Sequence, residues 1–496
     1  MIYHTEKMKC RQKSLLAGQQ FCTFNPALTL GAAIPHCSLP TAHCPLFTAC
    51  CLLLLFFSTG CATSYVDRAQ ATRKLYYAGN LESSRKEIDQ QLKKGRKKEA
   101  DLLKLESAML DLSNGNMAGA RKSLREVRDS FDYFEQKSVG ENALSLWTDD
   151  TVISYPGEDY EKVMIRAMLA VAELLDGGGD AEAYALQVVE KQNQIVRDNG
   201  KKPLRDKDGN ELPNPKLAYK EVAFGAYLHG LLREETLTNY DDATRYYEKV
   251  TQWEPQFSQA KRDLQRVQFG RHHEQGNGVV YVITFVGRGP YKEQVYATDL
   301  QFAMLIADRI FSAMNKYSVP PTLAPVPIPE IRRYYDDIHS VGVYVNGKPA
   351  AATETITDVG QMAVEQFEVN RDTIIAKAIV RRIVKKGTIY AAKQIGDVNP
   401  WVSLLLDVGG VAWEAWEAAD TRCWGLLPDR IQIARVELPA GDHTLELQAI
   451  SSSGRPLTAA KYSVKVHVPN GRNVYVLGNF PRDVLVGQIS TSDMKN

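Results

Sequence analysis

Few residues of this chain have the types and neighbours that chemistry requires. Cys61 follows Ser58, Thr59 and Gly60. Small side chains there let an extended backbone lie in a tight peptidase cleft. His272, His273 and Glu274 could ligate a metal, but adjacent histidines on a strand or helix point apart, so the reading is a linker with two exposed histidines and no metal. Gly276, Gly278, Gly287 and Gly289 flank an apolar run on both sides, whereas a nucleotide site needs the order strand, glycine loop, helix. No GxSxG, HExxH or Cys–His signature occurs, so neither an enzyme nor a cofactor is expected. The rival reading, an envelope hydrolase acting on cell wall or polysaccharide, would need two carboxylates facing one cleft or a nucleophile with a base.

The run Pro45–Phe57 is 13 residues long, short of the roughly 20 that cross a bilayer and suited to the apolar part of a signal peptide. Together with Ser58-Thr59-Gly60-Cys61 it resembles the lipobox of bacterial lipoproteins, with Ser58 where leucine is usual. That resemblance implies cleavage before Cys61 and acylation of its thiol. Residues 1–60 are thus a leader, the first 40 reading as an over-extended translation start, and the bland alternative is an uncleaved short anchor. Ala62 stands where an aspartate would retain a lipoprotein in the inner membrane, which implies an outer-membrane anchor facing the periplasm. Of eight cysteines, only Cys61 and Cys423 then remain, which excludes a disulfide framework or a CxxC site. The net charge of +1 gives no basic face for nucleic acid.

The elements behind this cysteine are of two kinds, an α+β arrangement. Residues 61–270 carry helical periodicity broken by short "GN" and "GD" turns, as in "LYYAGNLESSRKEI" and "LDLSNGNMAGARKSL". Tyr160, Val163, Met164, Ala167, Val171, Leu174 and Leu175 make one stripe. Ala243, Tyr247, Val250 and Pro255 resemble the second helix of a tetratricopeptide repeat (TPR), with Tyr227, Gly230 and Leu231 following the first more loosely. A helix-pair array offers a concave face to a protein partner. Residues 276–480 read as a β-rich α+β domain, with 481–496 a tail. Val279–Val286 reads as a buried strand, "SVPPTLAPVPIPEI" as a stiff connector or edge, and Asn346-Gly347 as a hairpin turn. An internal helical segment spans about 358–418, within which Leu404–Val411 and Trp401, Trp413 and Trp416 read as core. The end reads as a β-meander, with "LPAGDH" supplying a hairpin turn.

The leader, the helix pairs, "GNGVVYVITFVGRGPYKE" and "ADTRCWGLLPDRIQIARVELPAGDHTLEL" together resemble a family of TPR-bearing bacterial envelope lipoproteins. The family run looks like "ADTRSWxxLP", so Cys423 replaces a serine and reads as a tolerated small residue. Asp420, Arg422, Trp424 and Pro428 are candidates for a structural corner, an Arg–Asp pair under a Trp, or for a partner site, the first being favoured. The resemblance implies a non-enzymatic scaffold or interaction module in the cell envelope. Its partners would be the membrane, through acyl chains on Cys61, and envelope proteins, other lipoproteins among them. It supplies no reaction, nucleotide or nucleic acid.

Overall fold

A computed structural model describes residues 65–94, 97–141, 154–177, 179–200, 221–297, 303–304, 326–394 and 419–492. Cys61, Ser58, Thr59 and Gly60, and with them Leu404–Val411 and the three tryptophans of 401–416, lie outside the described residues. The structure is a mixed α+β fold. Among the described residues nine α-helices come first: α1 Tyr65–Tyr77, α2 Leu81–Lys93, α3 Ala100–Ser113, α4 Met117–Glu141, α5 Asp159–Leu175, α6 Ala181–Gly200, α7 Ala223–Glu235, α8 Tyr240–Trp253 and α9 Ser258–Gln268. Each packs against the next in sequence. Asn80 caps α2 through its side chain, and Gly79 and Gly115 take positive φ in the turns the "GN" pairs announce.

The stripe read on α5 widens to the whole helix, for every residue from Tyr160 to Leu175 is buried. Its charged residues survive burial by pairing with α4. Arg166 binds Asp132 at 2.6 Å and Glu173 binds Arg121 and Arg125 at 2.9 and 2.6 Å, so no charge on that face is left uncompensated.

The strands are β1 Asn277–Arg288, β2 Tyr291–Ala297, β3 Val326–Arg332, β4 Ile338–Val345, β5 Lys348–Ala352, β6 Glu354–Asp358, β7 Pro428–Pro439, β8 Gly441–Ser451, β9 Tyr462–Val468, β10 Asn473–Phe480 and β11 Ser490–Thr491, with α10 at Val359–Gln394 between β6 and β7. They form a five-stranded sheet ordered β11-β10-β1-β7-β6, a four-stranded sheet ordered β5-β4-β8-β9, and the β2-β3 pair. Strand β1 is central, parallel to β10 and antiparallel to β7. Its alternate residues serve two cores. Tyr281, Ile283 and Phe285 pack with the helices, while Val280, Val282 and Val286 pack with Val343, Leu445 and Leu447 of the smaller sheet. Burial on both faces is why the run is continuously apolar. The molecule is thus layered, helices on sheet on sheet, and the helical and β-rich halves share one core.

Three expectations change. "LPAGDH" does not close a hairpin: β7 is already paired on both sides, with β1 and β6, so the chain crosses at Ala440 to the other sheet. The terminal meander is likewise split, since β8 and β9 pair with each other but β10 returns beside β1. His272 is no exposed linker residue; it is buried, its Nε2 3.0 Å from Asn473 Oδ1, and its pKa is pushed down to about 3 by burial and by Arg435. The Asn346-Gly347 turn is present, with φ of 50° and 80°. The proline-rich run ends in β3, an outer strand of the β2-β3 pair, and residues 318–325 of it lie outside the described residues. The helix expected over 358–418 is α10, described to Gln394.

Helix α7 crosses α6 at Gly225, where an added Cβ would stand 2.5 Å from Val188 Cβ and 3.0 Å from Ala185 O. Alanine gains about 1 kcal/mol of helix propensity, but overpacking costs about 1–3 kcal/mol. Gly225→Ala is therefore expected to lower the urea midpoint, while Gly179→Ala, with nothing within 4 Å, leaves it unchanged.

Candidate functional site

The segment Asp420–Leu427 has no regular secondary structure, yet from Arg422 onward it is fully buried. Buried backbone groups without a ladder must find side-chain partners. Here the helices supply them. Glu161 of α5 accepts Trp424 N–H at 2.7 Å. Glu106 of α3 accepts Gly425 N–H at 3.2 Å and Leu426 N–H at 2.9 Å. From α1, Arg73 donates to Cys423 O at 3.2 Å and Tyr77 to Gly425 O at 2.9 Å. Arg73 also neutralises Glu106, 3.5 Å away. At Gly425 an added Cβ would lie 1.9 Å from the Arg73 guanidinium, so any larger residue there would displace Arg73 from its contacts. The strap is thus gripped by its backbone from two sides of the helical layer.

The four candidates of the "ADTRCWGLLP" run fall at different places on it. Asp420 and Arg422 form the expected pair, bidentate at 2.8 and 2.7 Å. The ring beside that guanidinium is Tyr155, centroid 5.3 Å away, and not Trp424. Trp424 is entirely buried in the helical core, its indole N–H lacking a partner. Pro428 opens β7 opposite Arg288, at the strand start where no ladder donor is needed. Cys423 is buried, and burial pushes its thiol pKa up, which suits a packed small residue better than a nucleophile.

Glu161 carries more than one load. It closes the capping box of α5 by accepting Glu158 N–H at 3.0 Å, and it takes the hydroxyls of Tyr155 and Tyr160 at 2.7 and 3.3 Å. Burial, with Glu158 nearby, pushes its pKa up to about 7. Glu106 is raised too, burial outweighing Arg73. These are the two carboxylates a hydrolase reading would look for, but they are 2% and 0% exposed and committed to backbone amides. Sequence reasoning missed them. The available signal was a glutamate inside an otherwise apolar face, as in "LLKLESAML".

Beside the strap opens a cleft of about 340 Å³. The loop Tyr155–Tyr160, strand β3, helix α10 and the start of the strap form its walls. Lys292 of β2, buried, binds Glu158; burial alone would lower its pKa, but Glu158 and Asp420 together hold it up. Gln366 of α10 accepts Tyr160 N–H at 2.9 Å and so joins α10 to the first turn of α5. Among the described residues, no His/Cys/Asp/Glu group is placed to hold a metal, and no helix is long and apolar enough to cross a membrane. Comparison with protein-family models, curated proteins and solved structures finds no match to this chain.

Removing Glu106 leaves two buried N–H groups and the Arg73 charge uncompensated. Glu106→Ala is expected to cost about 3–5 kcal/mol of unfolding free energy in urea titration, with Glu106→Gln losing less. Because the Glu161 pKa is raised by folding from 4.5 to about 7, its contribution to stability is full below the lower value and lost as pH rises through the upper one. Unfolding free energy should therefore fall between about pH 5 and pH 8, and Glu161→Gln should flatten that slope.

Proposed function

We propose that this protein is a lipid-anchored, non-enzymatic scaffold of the bacterial envelope. Acyl chains on Cys61 hold it to the membrane, with the outer membrane's periplasmic face the favoured place. Its helices act as TPR-like pairs in a protein-interaction module. The observation that carries the reading is the strap. The helical layer already holds an irregular segment by its backbone, with carboxylates to N–H groups and Arg or Tyr to carbonyls, and a helix-pair array is a surface suited to holding a partner. The packing at Gly230, where a Cβ would lie 2.8 Å from the Tyr247 ring, supports TPR-like pairing, since the small residue lets the second helix approach.

The same observation narrows where a partner binds. The strap and the larger sheet fill the inward face of the helices, so an envelope protein, another lipoprotein included, meets the outward helical faces. The hydrolase reading lacks support because Glu106 and Glu161 are occupied by backbone amides.

An alkyne-palmitate label is expected on the wild type and absent from Cys61→Ala, which should also leave the membrane fraction. Photocrosslinkers placed on exposed positions of α2 and α8 should capture a defined envelope protein. Labelling that survives Cys61→Ala, or crosslinkers that capture nothing from either helix, would refute the anchor or the scaffold respectively.

A further inference from the structure

We propose that the cleft between α10, β3 and the start of the strap is a binding site for a neutral saccharide. The inference does not depend on the protein-partner reading. One wall is apolar, built from Pro327, Pro329, Ile331, Phe367, Ile374 and Ala378. The loop, β2 and the strap contribute polar lining, and their charges come in pairs. Glu158 holds Lys292, Asp159 holds Lys162 at 3.2 Å, and Asp420 holds Arg422 in a bidentate contact at 2.7 Å. A charged ligand entering there would meet cations and anions already satisfied by one another, and would lose hydration without gaining a counter-charge.

The hydrogen-bonding capacity left over includes acceptors and one donor, the buried Gln366 Nε2, which has no partner among the described residues. A carboxylate has about four lone-pair sites, so one bound to a single cation still accepts. The side chains of Glu158 and Asp159 are 42% and 38% exposed, which leaves them open to a ligand. Asn370 donates its Nδ2 to Gln366 O at 2.7 Å, which leaves Oδ1 as an acceptor on the cleft wall. A ligand for this lining must both donate and accept hydrogen bonds, and must also present an apolar face. A sugar ring does all of this, with hydroxyl groups around its rim and C–H groups on its faces. The volume, about 340 Å³, lies at the lower end for small-molecule sites and suits one or two rings.

The site is pre-formed. Gln366 to Tyr160 N–H and Lys292 to Glu158 fix the floor from two sides, so binding need not order it. Lys377 and Arg381, two and three turns along α10 from Asn370, also line the cleft, Lys377 with its side chain exposed to solvent. The geometry binds without cleaving: each acidic side chain is held by a cation.

The test uses the full chain in detergent with maltose and N,N′-diacetylchitobiose as probes, followed by saturation-transfer NMR and calorimetry. Glucosamine, N-acetylneuraminic acid and the tripeptide Ala-Leu-Ala serve as comparators. At least one neutral disaccharide is expected to bind. Asn370→Ala should weaken it about tenfold through loss of one hydrogen bond, and Thr373→Trp, at the half-buried cleft wall, should abolish it. Both variants should keep the wild-type melting temperature, and if Thr373→Trp fails to fold, Asn370→Ala alone decides. Binding of neither disaccharide, equal binding in Asn370→Ala, or preference for a charged sugar or the tripeptide would overturn the proposal. None of these outcomes bears on acylation or on crosslinking from α2 and α8.

Discussion

Two buried glutamates hold an irregular stretch of backbone in the middle of this molecule, and the layers on either side are arranged around that grip. Glu106 and Glu161 lie on different helices and accept three successive amides, those of Trp424, Gly425 and Leu426. Burying a carboxylate is costly unless hydrogen bonds and a counter-charge compensate. Glu106 has both, through the strap amides and Arg73; Glu161 has four donors and a pKa raised into the neutral range. The contact is reciprocal, since the strap could not be buried without the glutamates nor the glutamates without the strap. It fixes where β7 begins, and β7 in turn pairs with the central strand β1.

That arrangement explains why the described residues from Tyr65 on, which read as two domains, form one compact unit. A helical array normally buries its inner stripe by stacking neighbours. Here the inner stripe is covered by β1, β7, β10 and Trp424 as well. The sheet is apolar on both faces because each face has a different cover, and the odd and even residues of β1 divide between them. The second sheet then carries its own polar outer face, with exposed Ser463, Lys465 and His467 alternating along β9.

Much of this was legible in the residues. The helical periodicity up to Gln268, the buried strand at Val279–Val286, the Asn346-Gly347 turn and the Arg422–Asp420 pair all follow from local pattern, and each is present. The pairing of strands was not legible. Whether the chain after Pro439 folds back or crosses depends on whether β7 already has neighbours on both edges, which no local signal encodes. His272 was misread for the same reason: its burial comes from Arg435 and Asn473, more than 160 residues away. The glutamates of the site looked like ordinary helix surface because their partners are backbone amides, and backbone amides have no residue identity to read. The cleft was equally silent, assembled as it is from five separate segments.

The parallel pairing of β1 with β10 has a consequence in time. Every strand needed to close the larger sheet lies after residue 276, and β10, which completes one side of β1, follows all the described helices and nine of the described strands. Asn479 on β10 reaches back to Tyr76 on α1 and donates to Ser113 on α3 at 2.9 Å, contacts spanning almost the whole described chain. Contacts so distant in sequence form slowly, because the entropy of closing the loop opposes them before they contribute. Until they form, the helices expose an inner face bearing Arg73, Glu106 and Glu161 without their amides. The helical layer is therefore complete only once β7 and β10 have joined it.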